Sequence, residues 1–314
     1  MESNRLFASP NEEKFINVYI NATLCEKRGD HLVPLKDLGR MKNPDTVCFS
    51  HSGKLIAIKN NNGLIEIYDS TSGHRIFKTK GPKKFGGRMY FLGEKMLLSS
   101  TEDGIIYAQD VSNDTMLFSQ NIQLNNVDIV NLSEDSFLVL GNDEDSGTTK
   151  IHLLSVHTNK ADMVLLAQVP AMLDTEVASY IDGKLYALSK DNMLFIFAFD
   201  ADNTALLLES TIVLRNSETS KFSEKASFFK RLAAMGFNTT PSVFPVAIVK
   251  LPEDQILLAY NLGGIVFDTK KKTCMQSIPF VFGITSVLSI NEGRQLWFST
   301  GEGVRCISSN DILT

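Results

Sequence analysis

The residues of this chain that could perform chemistry are its five histidines, its four cysteines and three short stretches rich in glycine, acidic or basic side chains. A metal needs ligands gathered at short, fixed spacing. Cys25, Cys48, Cys274 and Cys306 are far apart, form no C-x-x-C pair and have no clustered histidines beside them. Reduced, buried thiols are expected, with no metal and no cofactor. Acyl transfer on a G-x-S-x-G elbow is not signalled either: no such motif occurs, and His31, His51, His74, His152 and His157 fall in strand-like or turn-like stretches. Because catalytic triads assemble from distant segments, this leaves an enzyme unsupported rather than excluded.

The run from Gly81 to Arg88 (GPKKFGGR) has the glycine content of a phosphate loop. It lacks the Lys-Ser/Thr that should follow the last glycine, and no helical pattern follows to aim N–H groups at a phosphate. A linker is the simpler reading. The stretch from Asn142 to Gly147 (NDEDSG) resembles the start of a calcium loop, but aligning Gly147 with the loop glycine places Leu153 where the bidentate glutamate belongs. It reads as a hairpin loop, and Lys270 to Lys272 reads as a polar turn.

The formal net charge of −5, from 31 basic and 36 acidic residues, supplies no general field for a nucleic-acid backbone, so no nucleic-acid partner is expected. No apolar run reaches membrane-spanning length and the first ten residues lack a secretory pattern, so a cytoplasmic protein without a membrane span is expected. The four N-x-S/T triplets at Asn21, Asn113, Asn131 and Asn238 then carry no meaning.

The elements that would hold these residues emerge from self-similarity. From Val47 to Lys80 the chain reads as four strand-length runs separated by turns rich in Gly, Asn, Asp and Ser. The same grammar returns from Met89 to Gln120, with Met96 matching Leu55 and Asp110 matching Asp69. Taking the start of the second run as a marker, further copies begin at Phe137, Leu185, Ile256 and Leu296, at successive spacings of 41, 41, 48, 71 and 40 residues. A period near 40 with four short strands and no helical stripe is that of a propeller blade.

These units resemble degenerate WD repeats over nearly the whole chain. Where the family usually ends its third strand in Trp-Asp, this chain has Tyr68-Asp69, Gln109-Asp110, Phe199-Asp200 and Phe267-Asp268. The resemblance implies that Asp69, Asp110, Asp200 and Asp268 accept hydrogen bonds within the turns of their own blades. It also implies a closed ring. Leu6 offers a seventh marker, the N-terminal part lacks an innermost strand and the C-terminal unit lacks a clear outermost one, so the two ends are expected to share the closing blade.

The 71-residue spacing exceeds the period by about 30 residues. Between 215 and 243 the period turns helical: Phe222, Ala226, Phe229, Leu232 and Ala233 share one face, Ser217 or Ser220 can cap the start and Gly236 suits the end. Arg215, Lys221, Lys225, Lys230 and Arg231 make it locally basic. It either lies on a blade through its phenylalanine face or engages a partner, for which Lys221, Lys225, Phe228, Lys230, Arg231, Met235 and Phe237 are the candidate contacts.

The expectation is therefore an all-β chain, one β-propeller domain over residues 1–314 with a helical insertion, seven four-stranded blades, or six with an N-terminal extension. Its expected role is a non-enzymatic scaffold for another protein. The alternative is a propeller enzyme of hydrolase, lyase or lactonase type with polar side chains around the channel. An apolar rim patch would favour the first, and converging ligand-type side chains at the channel mouths the second.

Overall fold

The computed structural model describes residues 5–39, 41, 44–82, 88–101, 103–157, 160–169, 175–214, 219, 222, 242–280, 283–301 and 303–313. Their strands form seven antiparallel sheets, each from consecutive segments of chain: residues 5–37, 44–80, 89–121, 125–169, 175–213, 245–279 and 284–308, numbered here as blades 1 to 7. Within each blade the strands neighbour one another in sequence order, so each is a meander: six have an inner, a second, a third and an outer strand, and blade 7 has the first three among the described residues. Inner strands of adjacent blades pack side by side and close the ring, giving a seven-bladed β-propeller.

The second strands explain why the repeat was visible. Leu55–Asn60, Met96–Ser100, Lys184–Ser189, Gln255–Tyr260 and Gln295–Thr300 are buried at every position after the first. Blades stack face against face, so both faces of the sheet are covered and the strand reads as a continuous apolar run rather than an alternating one. Instead of one central core there are wedges between neighbouring blades. One holds Ile56, Ile58 and Tyr68 against Ile16 and Leu24, and the next holds Ala57, Ile65 and Ile67 against Leu97 and Tyr107. The outer strands face solvent on one side and alternate, as in Arg75–Lys80.

The repeat runs deeper in geometry than in sequence. In five of the six four-stranded blades the pairing of third and outer strands slips at the same level, after Leu24, Ile67, Ala108, Ile196 and Val266, each opposite the third residue of the second strand; in blade 4 it slips after Ile151, opposite the fifth, Leu140. A bulge at a shared height twists those five outer edges alike. The register also refines the sequence marker: the second strands of blades 4 to 7 start at Ser136, Lys184, Gln255 and Gln295, so Phe137, Leu185, Ile256 and Leu296 are their second residues.

Closure differs from the expectation of a shared blade. Leu6 lies in Arg5–Ala8, which is itself the inner strand of a complete blade 1. The overlooked segment is the third strand, Ala22–Arg28, whose outer end carries Glu26, Lys27 and Arg28 and so lacks the apolar run that marks its counterparts. Blade 7 comprises Ile284–Ile290, Gln295–Thr300 and Gly303–Ser308, with no outer strand among the described residues; the chain passes instead into a short helix, Ser309–Leu313. The seam between blades 7 and 1 is held by side chains: Phe15 and Trp297 meet with ring centroids 5.5 Å apart, in a cluster with Leu6, Cys25 and Ile290. Leu6 N–H donates to Ser286 Oγ at 3.1 Å, and Asn291 N–H to Glu12 Oε2 at 2.8 Å.

Candidate partner-binding surfaces

The meander fixes what each face of the ring can present. Connections from an outer strand to the next inner strand, and turns from second to third strands, share one face; inner-to-second and third-to-outer turns share the other. All the lengthened connections therefore gather on the first, the linker face.

On the turn face lie the four aspartates singled out from the sequence. Asp69 Oδ1 accepts from Thr71 N–H, Ser72 N–H and Ser72 Oγ; Asp110 Oδ1 accepts from Ser112 N–H and Oγ. Asp200 Oδ1 accepts from Thr204 and Ala205 N–H, and Asp268 Oδ1 from Lys270 and Lys271 N–H. Asp69 pairs directly with Leu55 and Asp110 with Met96, whereas Asp200 stands beyond the last paired residue, Phe199. Hydrogen bonds to the carboxylate hold all four below the ordinary carboxylate range: backbone ones chiefly for Asp69, Asp200 and Asp268, the Ser112 hydroxyl first for Asp110. Their oxygens are occupied within the turns.

On the linker face, the long connection between blades 5 and 6 is fastened at its roots. Phe222, in helical conformation, is fully buried with Leu214, Tyr260 and Leu262, its ring 5.7 Å from that of Tyr260. Gly263 makes room for it: a Cβ there would stand 2.3 Å from Phe222 Cδ1. At the returning root, Asn261 Nδ2 donates to Ser242 O and Phe244 N–H donates to Asn261 Oδ1, both at 3.0 Å. Of the predicted helical face only Phe222 is described. Lys221, Lys225, Phe228, Lys230, Arg231, Met235 and Phe237 lie outside the described residues, as do Lys83 to Gly87 of the glycine-rich linker.

At the channel wall, Arg88 joins three blades, with Nε 2.7 Å from Asp128 Oδ1, Nη2 2.9 Å from Oδ2 and 3.2 Å from Ala178 O. The Arg88 side chain is partly exposed, and a bidentate pair of this kind fixes the orientation of guanidinium and carboxylate across the two blades. Sequence reading assigned Arg88 to a linker and missed this role, because both partners lie in later blades. Among the described residues no group of three His, Cys, Asp or Glu stands close enough to share a metal ion.

The rim carries a different surface. On the outer strands of blades 4 and 5 (Lys160–Val169 and Leu206–Val213), Val164 is 55% exposed, Leu165 47%, Leu207 55% and Leu208 44%. Val164 opposes Leu153 and Leu207 opposes Ala198 on two outer strands that lie near each other; Val164 stands level with the third residue of its blade's second strand and Leu207 level with the first. Sequence reading missed this patch because each outer strand alternates ordinarily by itself; only the ring sets two apolar edges side by side. No helix among the described residues is long and apolar enough to cross a membrane.

No protein-family model and no curated protein matches the sequence. Solved structures do match in shape: the WD40 repeats of RRP9, at a TM-score of 0.66 and 12% identity over 98% of this chain and 94% of that one, and U3-55K, at 0.66 and 14% over 98% and 96%. With seven meander blades and two WD-repeat neighbours aligned over nearly their full length, this chain has a WD-repeat-like β-propeller fold.

Proposed function

We propose that the chain is a cytoplasmic, non-enzymatic scaffold that binds another protein. The observation that carries this reading is the exposure of four aliphatic side chains, Val164, Leu165, Leu207 and Leu208, on two neighbouring outer strands of the rim, since exposed apolar surface gathered in one region marks protein contacts. The insertion on the linker face supplies a second, basic contact through Lys221, Lys225, Phe228, Lys230, Arg231, Met235 and Phe237. Burial of Phe222 supports a segment rooted on the ring that can offer the rest of its length to a partner.

Affinity capture from the native host tests the proposal. Val164→Glu with Leu207→Glu removes capture of the partner while circular dichroism and melting stay those of the wild type. Deleting residues 223–241, which spares Phe222 and Ser242, leaves a folded ring and weakens capture. Undiminished capture by both variants together would refute the reading.

A further inference from the structure

The third strand of blade 7 has the backbone of a strand that expects a neighbour. In blade 6, Gly263–Asp268 pairs outward with Thr273–Pro279, and Phe280 N–H donates to Leu262 O at 2.9 Å. Backbone groups alternate sides along an antiparallel strand, so Gly264 and Val266 also turn theirs outward. The inner pairing of blade 7 has the same register: Tyr260 opposes Gly263 as Thr300 opposes Gly303, and Gln255 opposes Asp268 as Gln295 opposes Ser308. The outward parity therefore falls on Val304 and Cys306, and among the described residues no strand lies there.

What fits this edge is narrow. The strand lies one strand spacing, about 4.8 Å, inside the rim formed by the other outer strands. Blade 1's outer strand, His31–Asp37, packs beside it, with Leu32 in the same cluster as Val304 and Cys306. A cavity of about 580 Å³ opens at the turn-face end, lined by Asp30, Arg294, Gln295, Cys306 and Ile307. A second ring cannot enter such a slot, because its own blade 7 edge is equally set back and its other outer strands arrive flanked by their sheets. A single extended segment can. The outer strand of blade 6, next to this edge in the ring, offers a template: Thr273–Pro279 is uncharged, and its Ile278 packs against the core between blades 6 and 7.

We propose that blade 7 is completed in trans: an extended, uncharged segment of a partner protein with alternating aliphatic residues adds as the fourth strand, antiparallel to Gly303–Ser308, hydrogen-bonded to Val304 and Cys306. This rests on the scaffold reading and names how one partner segment is held.

The probe is a fluorescein-labelled peptide of residues 272–280 with Cys274 replaced by serine, titrated with the full chain and followed by anisotropy. Saturable binding is expected, with slowed exchange of the Val304 and Cys306 amides. Methylating the peptide nitrogens at Gln276 and Ile278, which oppose Val266 and Gly264 in blade 6, should weaken binding at least about tenfold, as two lost hydrogen bonds require. Val304→Pro and Cys306→Pro remove outward donors while sparing the inward ladder, and should do the same. Failure of the peptide to bind, equal binding of the methylated peptide, or unchanged amide exchange would overturn strand addition. A wild-type dimer that Cys306→Pro converts to a monomer would also overturn it, by making a second copy the occupant. The Val164→Glu and Leu207→Glu variants keep peptide binding, so loss of the rim reading and loss of this one are separately visible.

Discussion

Phe222 shows how a residue can belong to one segment by sequence and to another by energy. Its neighbours on the chain read as a basic, helical insertion, yet its ring is fully buried between blades 5 and 6 over Gly263. Phe222→Ala is expected to cost about 3–5 kcal/mol in urea unfolding, the usual range for emptying a buried aromatic site. Gly263→Ala alone should also destabilise, because its new methyl meets the ring. The double variant should cost less than the sum, since the truncated ring vacates the space the methyl needs; strict additivity would mean the two do not touch. Lys59 makes the same point from the opposite side. It ends an apolar run and is wholly buried, its ammonium 3.3 Å from Ser99 Oγ and 3.2 Å from Ser100 O. Both partners lie about 40 residues away on the next blade, so nothing local shows that a lysine can be accommodated there.

Four of the third-to-outer turns carry an aspartate that accepts hydrogen bonds within the turn, and these aspartates make acid sensitivity a property of the turn. Each of Asp69, Asp110, Asp200 and Asp268 has a folded-state pKa below the ordinary value of 3.8. A depressed carboxylate contributes fully above its unfolded pKa, and that contribution is lost as pH falls through 3.8 toward the folded value. The melting temperature should therefore drop between pH 5 and pH 3, and the combined Asp→Asn variant at these four positions should show a lower plateau and a flatter acid limb. An unchanged acid limb would place the sensitivity elsewhere. These turns were legible from the sequence because an Asx turn is local: acceptor and donors lie within five residues. The third strand of blade 1 was not legible, because its charged end hides an apolar start that is recognised only when the ring covers it.

At the scale of the molecule, the ring closes through the seam between blades 7 and 1, where the fully buried residues are Leu6, Phe15, Cys25, Ile290 and Trp297. Trp297→Ala is expected to cost about 3–5 kcal/mol and to speed amide exchange in blades 1 and 7 ahead of blades 3 to 5. Trp297→Phe, which keeps a ring against Phe15, should cost less than about 1.5 kcal/mol. Uniform exchange changes around the ring would show that the seam is no weaker than the other blade contacts. Read alone, the sequence determined the period, the strand-rich blades, the lengthened unit between blades 5 and 6 and the turn aspartates, because apolar runs and turn residues act within a blade's own 40 residues. The tertiary structure decided which strands cover which. It set Phe222 into the ring, joined Arg88 to Asp128 across blades, brought the outer strands of blades 4 and 5 near each other and, among the described residues, left Gly303–Ser308 without an outer neighbour. Each of these is a contact between blades, and stacking of sheets depends on ring geometry that no local pattern encodes.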